Sequence, residues 1–445
     1  LIAARPYRLP DADHQAMVDF LAHGAVYGPG TFVKGVRRLQ ATEILTLDAG
    51  SNAGPVVRPK AAAEPAGDAT EAVLSHFADL VRSLGSQRVS VDLTGGFDSR
   101  VVACLLHRQG LAFEGSISGR ADNPDVEIAA QAARLLGCPF EVTPHDVDRL
   151  EEDLPLVFSD GDGLTDVRRF HRDRQNSLAR LARGVETIVH GGAGEFFRDH
   201  NFVQDFPRYG SSRVDLQRYY RLRVCAVQLP DTQLTDRGAE LLSAARQHVL
   251  SLLEKSRMST NNETYERFFY AERAPDFYGQ FFSNHINLGL GLAAPFLDHR
   301  INRAASAIPP WRRFFQRWHR QILTRHCPAL AALPTPDGFS ASNEWRHVVG
   351  DLWSFGGTQA SRAARKVTQR LLGKALFYKM GAFAADAPGY MAGLRATRAF
   401  SDARDRLVAA GILRPNLAQE QIRDVHVGRI VTAGMLLGRL DGQGR

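Results

Sequence analysis

From residue 70 onward, short apolar segments alternate with amphipathic ones, and this alternation restricts the possible folds more than any other feature of the chain. The segments "RVSVDL", "LAFEGSIS" and "PFEVTPHD" are predicted strands separated by predicted helices, and "VETIVHGG" repeats the pattern further on. Strands joined by crossover helices form a parallel sheet, whose ligands bind at the carboxyl ends of the strands. The sequence therefore predicts an α/β fold with a doubly wound parallel sheet.

Three parts are predicted along the 445 residues. Residues 1–55 form a short amino-terminal part with antiparallel character, and the Pro-, Ala- and Gly-rich segment 56–69 is a linker. Residues 70–445 form the main domain, in which 210–330 and 360–440 are mostly helical. The aromatic stripes of these helices are interpreted as core, without a chemical role.

Composition and charge exclude several classes of protein. The formal net charge is +7, but no run of five basic residues occurs, so we expect no nucleic-acid partner, while an anionic small substrate is compatible. The sequence has neither an apolar run of 18 residues nor a leader, so we expect a cytoplasmic protein without a membrane partner. The four cysteines are far apart, which favours neither a zinc site nor a disulfide framework. The oligomeric state is not predicted.

The first candidate site lies in "VSVDLTGGFDSRVVACLL", where a predicted strand ends at two glycines before a helix. Gly95 and Gly96 allow several backbone N–H groups to point at one anion, and the helix start adds partial positive charge. No Walker lysine is present, and Asp98 would repel a phosphate, so its useful role is to hold Mg²⁺. A tight strand-to-helix turn capped by Asp98 explains the loop equally well.

A second glycine loop, "HGGAGE" from His190 to Glu195, favours the phosphate- and magnesium-binding interpretation over the purely structural turn. It also follows an apolar strand and also carries a carboxylate. Two such loops at the ends of neighbouring parallel strands can hold a pyrophosphate and its magnesium from two sides. We therefore predict that the two loops face one pocket.

These segments resemble the asparagine synthetase family, whose synthetase domain is an N-type ATP pyrophosphatase. "LTGGFDSR" resembles the family's S-G-G-x-D-S pyrophosphate loop, with Thr94 at the first serine, and "IVHGGAGEFF" resembles its second glycine loop. "APFLDHRINRAASAIP" resembles a helix start of the family, and "FLAHGAVYGPGTFVKGVRRLQATEILTLDAG" the end of its glutaminase domain. The resemblance covers nearly the whole chain and implies an adenine nucleotide α-hydrolase-like fold.

The resemblance also implies site residues, cofactors and an activity. ATP and Mg²⁺ would be bound, and the substrates would be a small carboxylate and an amine or ammonia. A carboxylate attacks the α-phosphate of ATP, pyrophosphate leaves, and an amine converts the acyl-adenylate to an amide and AMP. Pyrophosphate would be held by Thr94, Gly95, Gly96, Asp98 and Ser99, adenosine by Leu93, Ser118, His190 and Gly191, and Mg²⁺ by the catalytic pair Asp98 and Glu195.

Three departures from the family pattern leave alternatives open. Gly192 and Phe196 stand where the family has acidic residues. Thr335 and Pro336 occupy the region where the family has a lysine, and its positive charge would have to come from His319, Arg320 or Arg325. No cysteine precedes Cys104, so this chain as given lacks the nucleophile of the glutaminase. The alternatives are a non-catalytic nucleotide-binding member and a pyrophosphatase-type RNA-modifying enzyme.

Overall fold

A computed structural model describes residues 11–48, 54–60, 69–198, 210–336, 338–353, 356–357, 360 and 389–442. The predicted helical segment 360–440 therefore falls partly outside the described residues. No helix among the described ranges is both long enough and apolar enough to cross a membrane.

The centre of the fold is a five-stranded parallel sheet, as the alternation predicts. Its strands are β3 (Val89–Asp92), β4 (Phe113–Ser118), β5 (Phe140–Thr143), β6 (Thr187–Val189) and β7 (Gly291–Ala293). The order across the sheet is β5-β4-β3-β6-β7, so the chain runs from β3 outward to β5 and returns to β6 on the other side of β3. The order reverses between β3 and β6, which is where ligands bind in sheets of this kind.

Helices cover both faces of the sheet and build the rest of the chain. The first group precedes β6 in the chain and comprises α1 (His14–His23), α2 (Ala69–Leu84), α3 (Phe97–Arg108), α4 (Pro124–Leu136), α5 (Leu150–Asp160) and α6 (Val167–Ala182). The second group comprises α7 (Leu216–Tyr219), α8 (Asp236–Lys255), α9 (Asn261–Phe268), α10 (Ala274–Asn287), α11 (His299–Ala307), α12 (Pro310–Arg313), α13 (Arg317–His326) and α14 (Pro328–Ala332). The last group comprises α15 (Tyr390–Ala396), α16 (Arg398–Ala409) and α17 (Asp424–Leu440).

Two π-helical turns interrupt the second group of helices. Tyr220–Val224 continues α7 and Phe269–Arg273 joins α9 to α10. A π turn holds one more residue than an α turn and occurs often at functional sites. Both turns carry an arginine, Arg223 and Arg273, at or next to their ends.

The amino-terminal part divides into two pieces with different surroundings. β1 (Glu43–Thr46) and β2 (Val56–Pro59) pair antiparallel and are largely exposed. β2 lies within the segment that the sequence assigns to a linker, so part of that segment is a strand. The apolar face of α1 is buried instead in a second core with α16 and α17, separate from the core beneath the sheet.

Candidate active site

The carboxyl edge of the sheet borders a cavity of about 1030 Å³. Six of the ten predicted site residues line it, namely Thr94, Gly96, Asp98, Ser99, Ser118 and His190. β3, β4 and β6 end at this edge, which explains why three separate sequence segments meet there. The other four predicted residues lie next to the cavity in positions described below.

The side-chain hydroxyls of Thr94 and Ser99 stabilise the first glycine loop through hydrogen bonds. The Thr94 and Ser99 hydroxyl oxygens lie 2.9 Å apart, and the backbone N–H of Gly96 donates to the Thr94 hydroxyl at 3.1 Å. The Thr94 N–H donates in turn to the Ser99 hydroxyl at 3.1 Å. Both hydroxyls therefore shape the loop as well as face the cavity.

Gly95 is fixed by contacts on two sides. Its N–H donates to Oδ1 of Asp125, in the first turn of α4, at 2.6 Å. A Cβ at this position would lie 2.8 Å from that oxygen and 3.0 Å from Cδ of Pro336, so only glycine fits without displacement. Asp125 was not predicted as a site residue, although its position at the start of a helix beside the loop was a usable signal.

The second glycine loop packs directly against the first. A Cβ at Gly191 would lie 2.9 Å from the backbone nitrogen of Ser99, and one at Gly194 would lie 2.6 Å from Cγ of Asp98. Ala193 between them has a positive φ of 70°. The absence of side chains at Gly191 and Gly194 is what allows the two loops to approach one another.

The Asp98 carboxylate contacts two basic side chains. Nη2 of Arg198 lies 2.8 Å from its Oδ2, and Nε2 of His319 lies 2.9 Å from its Oδ1. Arg198 follows the second glycine loop, whereas the fully buried His319 comes from α13. The sequence singled out His319 as a possible source of charge but missed Arg198, which stands three residues after Glu195.

Glu195 points to a different neighbour. Its carboxylate accepts a hydrogen bond from the Tyr278 hydroxyl, and Tyr278 lines the cavity while Glu195 does not. Burial, reinforced by the Glu195 charge, raises the pKa of Tyr278. Tyr278 therefore stays protonated and remains a donor to Glu195.

His190 is oriented by the loop that follows it. The Gly192 N–H donates to its Nδ1 at 2.8 Å, so its proton is on Nε2, which lies 3.6 Å from Oδ2 of Asp92. Burial opposes ionisation of Asp92, but the charge of Arg180, which also donates a hydrogen bond to it, outweighs burial and holds the pKa of that carboxyl below its usual range. Asp92 thus remains a carboxylate at the end of β3.

Two predicted adenosine contacts, Leu93 directly after β3 and Ser118 at the end of β4, differ in position. The Ser118 hydroxyl oxygen is buried at the cavity and meets no hydrogen-bond partner among the described residues. A ligand atom could supply that missing partner. The Leu93 side chain lies instead in the core, where it closely approaches Gly115.

Pro336 covers the first loop in the region of the family lysine. Arg100, fully buried beneath the loop, donates to the carbonyls of Gly95 at 2.7 Å and Leu333 at 2.8 Å, and also to that of Pro334. Burial lowers the pKa of Arg100 to about 10, so it remains charged at neutral pH. This side chain ties the segment before Pro336 to the glycine loop.

The other two candidates for the missing charge lie away from the cavity lining. Arg320 is buried and pairs with Asp351 at 2.7 Å, and Arg325 is exposed on α13. Of the three candidates on α13, His319 is therefore the one that contacts the loop. Arg198 adds a second basic group from the other side.

The described residues contain no group of three His, Cys, Asp or Glu side chains placed to hold a metal ion. Mg²⁺ usually takes only one or two protein carboxylates and completes its shell with phosphate oxygens and water. Asp98, with a carboxylate at the cavity wall, fits such a shared site. Glu195 would have to exchange its contact with Tyr278 to join it.

Comparisons with known proteins give a number of similar solved structures, two of which are described here. An NAD+ synthetase from Burkholderia pseudomallei is 18% identical, covering 30% of this chain and 67% of its own, with a TM-score of 0.21. An NMN synthetase from Francisella tularensis is 14% identical, covering 54% of this chain and 94% of its own, also with a TM-score of 0.21. No family model and no curated protein sequence matches the chain.

Proposed function

We propose that the protein is an ATP-dependent, AMP-forming amide ligase of the asparagine synthetase type. The observation that carries the proposal is the direct contact between the two glycine loops, in which Gly194 abuts the Asp98 side chain. Two loops joined in this way at the switch point of a parallel sheet form a wall suited to a polyphosphate. The unpartnered Ser118 hydroxyl, on the neighbouring strand, supports an adenosine subsite in the same cavity.

The chain's own residues would act mainly by positioning and by charge neutralisation. The backbone at Gly96 and the hydroxyls of Thr94 and Ser99 would bind the β- and γ-phosphates. Asp98 would hold Mg²⁺, which neutralises charge on the departing pyrophosphate. Arg198 and His319, which contact Asp98 on either side, would supply the positive charge that the family's lysine provides.

The reaction has two steps. A carboxylate oxygen of the substrate forms a bond to the α-phosphorus of ATP while the bond to the bridging oxygen breaks, so pyrophosphate leaves. An amine or ammonia then attacks the acyl carbon, loses a proton, and displaces AMP to leave an amide. We also propose that the enzyme is cytoplasmic and that its substrates are a small carboxylate and an amine.

Incubation of the full chain with ATP, Mg²⁺, ammonia and a panel of carboxylic acids tests the proposal. We expect AMP and pyrophosphate to appear in equal amounts with at least one acid. Asp98→Asn should abolish both products, whereas Asp79→Asn, at a partly exposed position on α2, serves as the matched control. ADP and phosphate as products would contradict the proposal.

A second function is favoured by the contacts of the same residues. Arg198 already pairs with Asp98, His319 contacts the same carboxylate, and Pro336 stands over Gly95 in the region of the family lysine. These contacts suit a protein that binds the nucleotide without turning it over. ATP binding without AMP release for any acid and amine pair would favour this function over the ligase.

A further inference from the structure

Near Ser118, the wall of the cavity carries a buried amide, the side chain of Asn176. Asn176 belongs to α6, lines the cavity and is only 7% exposed. Its Oδ1 accepts from the hydroxyls of Ser116 on β4 at 3.1 Å and Thr143 on β5 at 2.9 Å. Ser116 and Ser118 point to the same face of β4, because side chains alternate along a strand. Asn176 therefore lies next to the proposed adenosine subsite.

The two hydroxyl groups determine which way the Asn176 amide faces. Because both donate to Oδ1, the amino group at Nδ2 is the part turned away from them. Among the described residues, Nδ2 meets no hydrogen-bond partner. A buried amide normally has partners for its donors as well as for its oxygen. An acceptor atom of a ligand in the cavity would supply the missing one.

A carboxylate lies one turn before this amide on the same helix. Asp173 also lines the cavity, and residues three apart on a helix are neighbours. The Asp173 carboxylate lies 3.8 Å from Nε of Arg172, beyond hydrogen-bond distance, and no donor among the described residues reaches it. Burial raises the pKa of Asp173 despite the opposing charge of Arg172. A hydrogen-bond donor from a ligand would stabilise the carboxylate.

Together the two side chains place a hydrogen-bond donor beside an acceptor. Adenine carries the complementary pair on its Watson–Crick edge, where the ring nitrogen N1 accepts and the N6 amino group donates. Hypoxanthine and guanine have the reverse order, because their N1 carries a hydrogen and their O6 accepts. The order of donor and acceptor on α6 therefore matches adenine and opposes the 6-oxopurines.

We propose that Asn176 and Asp173 select adenine over 6-oxopurines, with Nδ2 of Asn176 donating to N1 and the Asp173 carboxylate accepting from the N6 amino group. The inference rests on the proposed function for placing a nucleotide in this cavity. A 6-oxopurine would set the Asn176 donor against an N–H and the Asp173 carboxylate against a carbonyl oxygen. Polar groups left unpaired in this way discriminate more strongly than the loss of an apolar contact.

Calorimetric titration of the full chain with Mg²⁺ and ATP, ITP or 1-deaza-ATP tests the inference without turnover, because no acid is added. ITP reverses the donor and the acceptor of the base edge, whereas 1-deaza-ATP lacks only the acceptor at N1. We expect both analogues to bind about tenfold or more weakly than ATP, the discrimination typical of well-placed hydrogen bonds to a base. Equal binding of either analogue and ATP would overturn the inference, as would binding of no nucleotide.

Exchange of the two side chains gives the most direct variant. The double variant Asp173→Asn, Asn176→Asp keeps the composition and the net charge but reverses donor and acceptor. The new carboxylate can still accept from Ser116 and Thr143, so the support of the cavity wall is kept. We expect the preference to invert, with ITP bound more tightly than ATP. A double variant with the wild-type preference would overturn the inference, because a merely structural role predicts no inversion.

Asp173→Asn alone provides the test if the double variant does not fold, because the Asp173 side chain is 30% exposed and tolerates an amide. It should narrow the preference for ATP over ITP about tenfold, since the acceptor for the N6 amino group is weakened. Asp79→Asn, on α2, is the matched control and should leave the preference unchanged. An unaltered preference in Asp173→Asn would count against the inference.

Failure of the inference differs from failure of the proposed function. In the first case AMP is formed from ATP, but exchange of Asp173 and Asn176 does not alter the preference between ATP and ITP. In the second case no AMP is formed with any acid, yet ATP still binds more tightly than ITP and the exchange still inverts that preference.

Discussion

Nε2 of His319 lies 2.9 Å from Oδ1 of Asp98 and joins α13 to the first turn of α3. Arg198 contacts the other carboxylate oxygen from the second glycine loop. Three segments far apart in the chain therefore meet at one carboxylate. This arrangement makes Asp98 the position from which the proposed chemistry is most directly tested.

Asp98→Asn is expected to abolish AMP formation. The amide that replaces the carboxylate binds Mg²⁺ poorly and has no charge to pair with Arg198. Loss of one preorganised electrostatic group typically costs on the order of a hundredfold or more in rate. Quantifying AMP by chromatography checks this. Circular dichroism should show the fold retained, and a variant that forms AMP at the wild-type rate would refute the role of Asp98.

Arg198→Met should lower pyrophosphate release on the order of a hundredfold, because it removes a positive charge beside the phosphate loop. Arg198→Lys keeps the charge but loses the planar guanidinium, so we expect it to retain part of the activity. A coupled pyrophosphate assay measures both variants. Equal rates for Arg198→Met and the wild type would show that the charge comes from elsewhere.

Thr94→Ser should leave activity within about twofold of the wild type, because a hydroxyl remains to bond Ser99 and Gly96. Thr94→Val removes that hydroxyl at nearly constant volume, leaves the Gly96 N–H without its acceptor, and should cost about 1 to 3 kcal/mol in stability or nucleotide binding. Denaturant titration and ATP titration measure the two effects. If Val proves as well tolerated as Ser, the hydroxyl does not brace the loop.

Gly194→Ala should disrupt the contact between the loops. Its new methyl group would lie 2.6 Å from Cγ of Asp98, so the loops must separate and nucleotide affinity should fall. Gly279→Ala is the matched control, because its methyl meets nothing within 4 Å and alanine favours helix α10 by up to about 1 kcal/mol. Thermal unfolding and ATP titration compare the pair. A Gly194→Ala protein with normal ATP affinity would contradict the described packing.

His426→Leu should flatten the dependence of stability on pH. Burial, with the Arg429 charge adding to it, lowers the pKa of His426 to about 4 from its ordinary 6.5. The unfolded chain therefore takes up a proton as pH falls below 6.5 while the folded chain does not until about pH 4, so this residue lowers stability across that window by on the order of 3 kcal/mol.

Both ring nitrogens of His426 are buried without a hydrogen-bond partner among the described residues, so leucine should be neutral or stabilising at pH 7. The free energy of unfolding, measured by denaturant titration from pH 7 to pH 4, checks the expectation. A slope identical to that of the wild type would show that His426 titrates normally in the folded protein.

The parallel sheet was predictable because its central strands are short apolar runs followed by glycines. "RVSVDL" and "ETIVHG" contain β3 and β6, which pair in parallel as expected. β7 was missed because "LGLGL" has too few β-branched residues to stand out from the preceding helix. β2 was missed because its proline-rich surroundings are typical of a linker.

The site was predictable only where chemistry is local in sequence. The loop residues are consecutive, so their pattern was visible, whereas the contacts of Asp98 with His319 and of Gly95 with Pro336 depend on tertiary packing. The stretch from Thr264 to Leu292 was interpreted as core, yet its Arg273, Phe277 and Tyr278 line the cavity. Side chains that converge from remote helices leave no periodic signal.

The π turn at Phe269–Arg273 determines which side chains of α10 face the cavity. Each residue of an α-helix advances the chain by about 100°, so removing one residue from this turn would rotate the whole of α10 by roughly that angle. Tyr278 would leave Glu195, and Asp276 would leave Arg38. An insertion or deletion in this turn would therefore replace all the side chains that α10 presents to the cavity at once, which no single substitution can do.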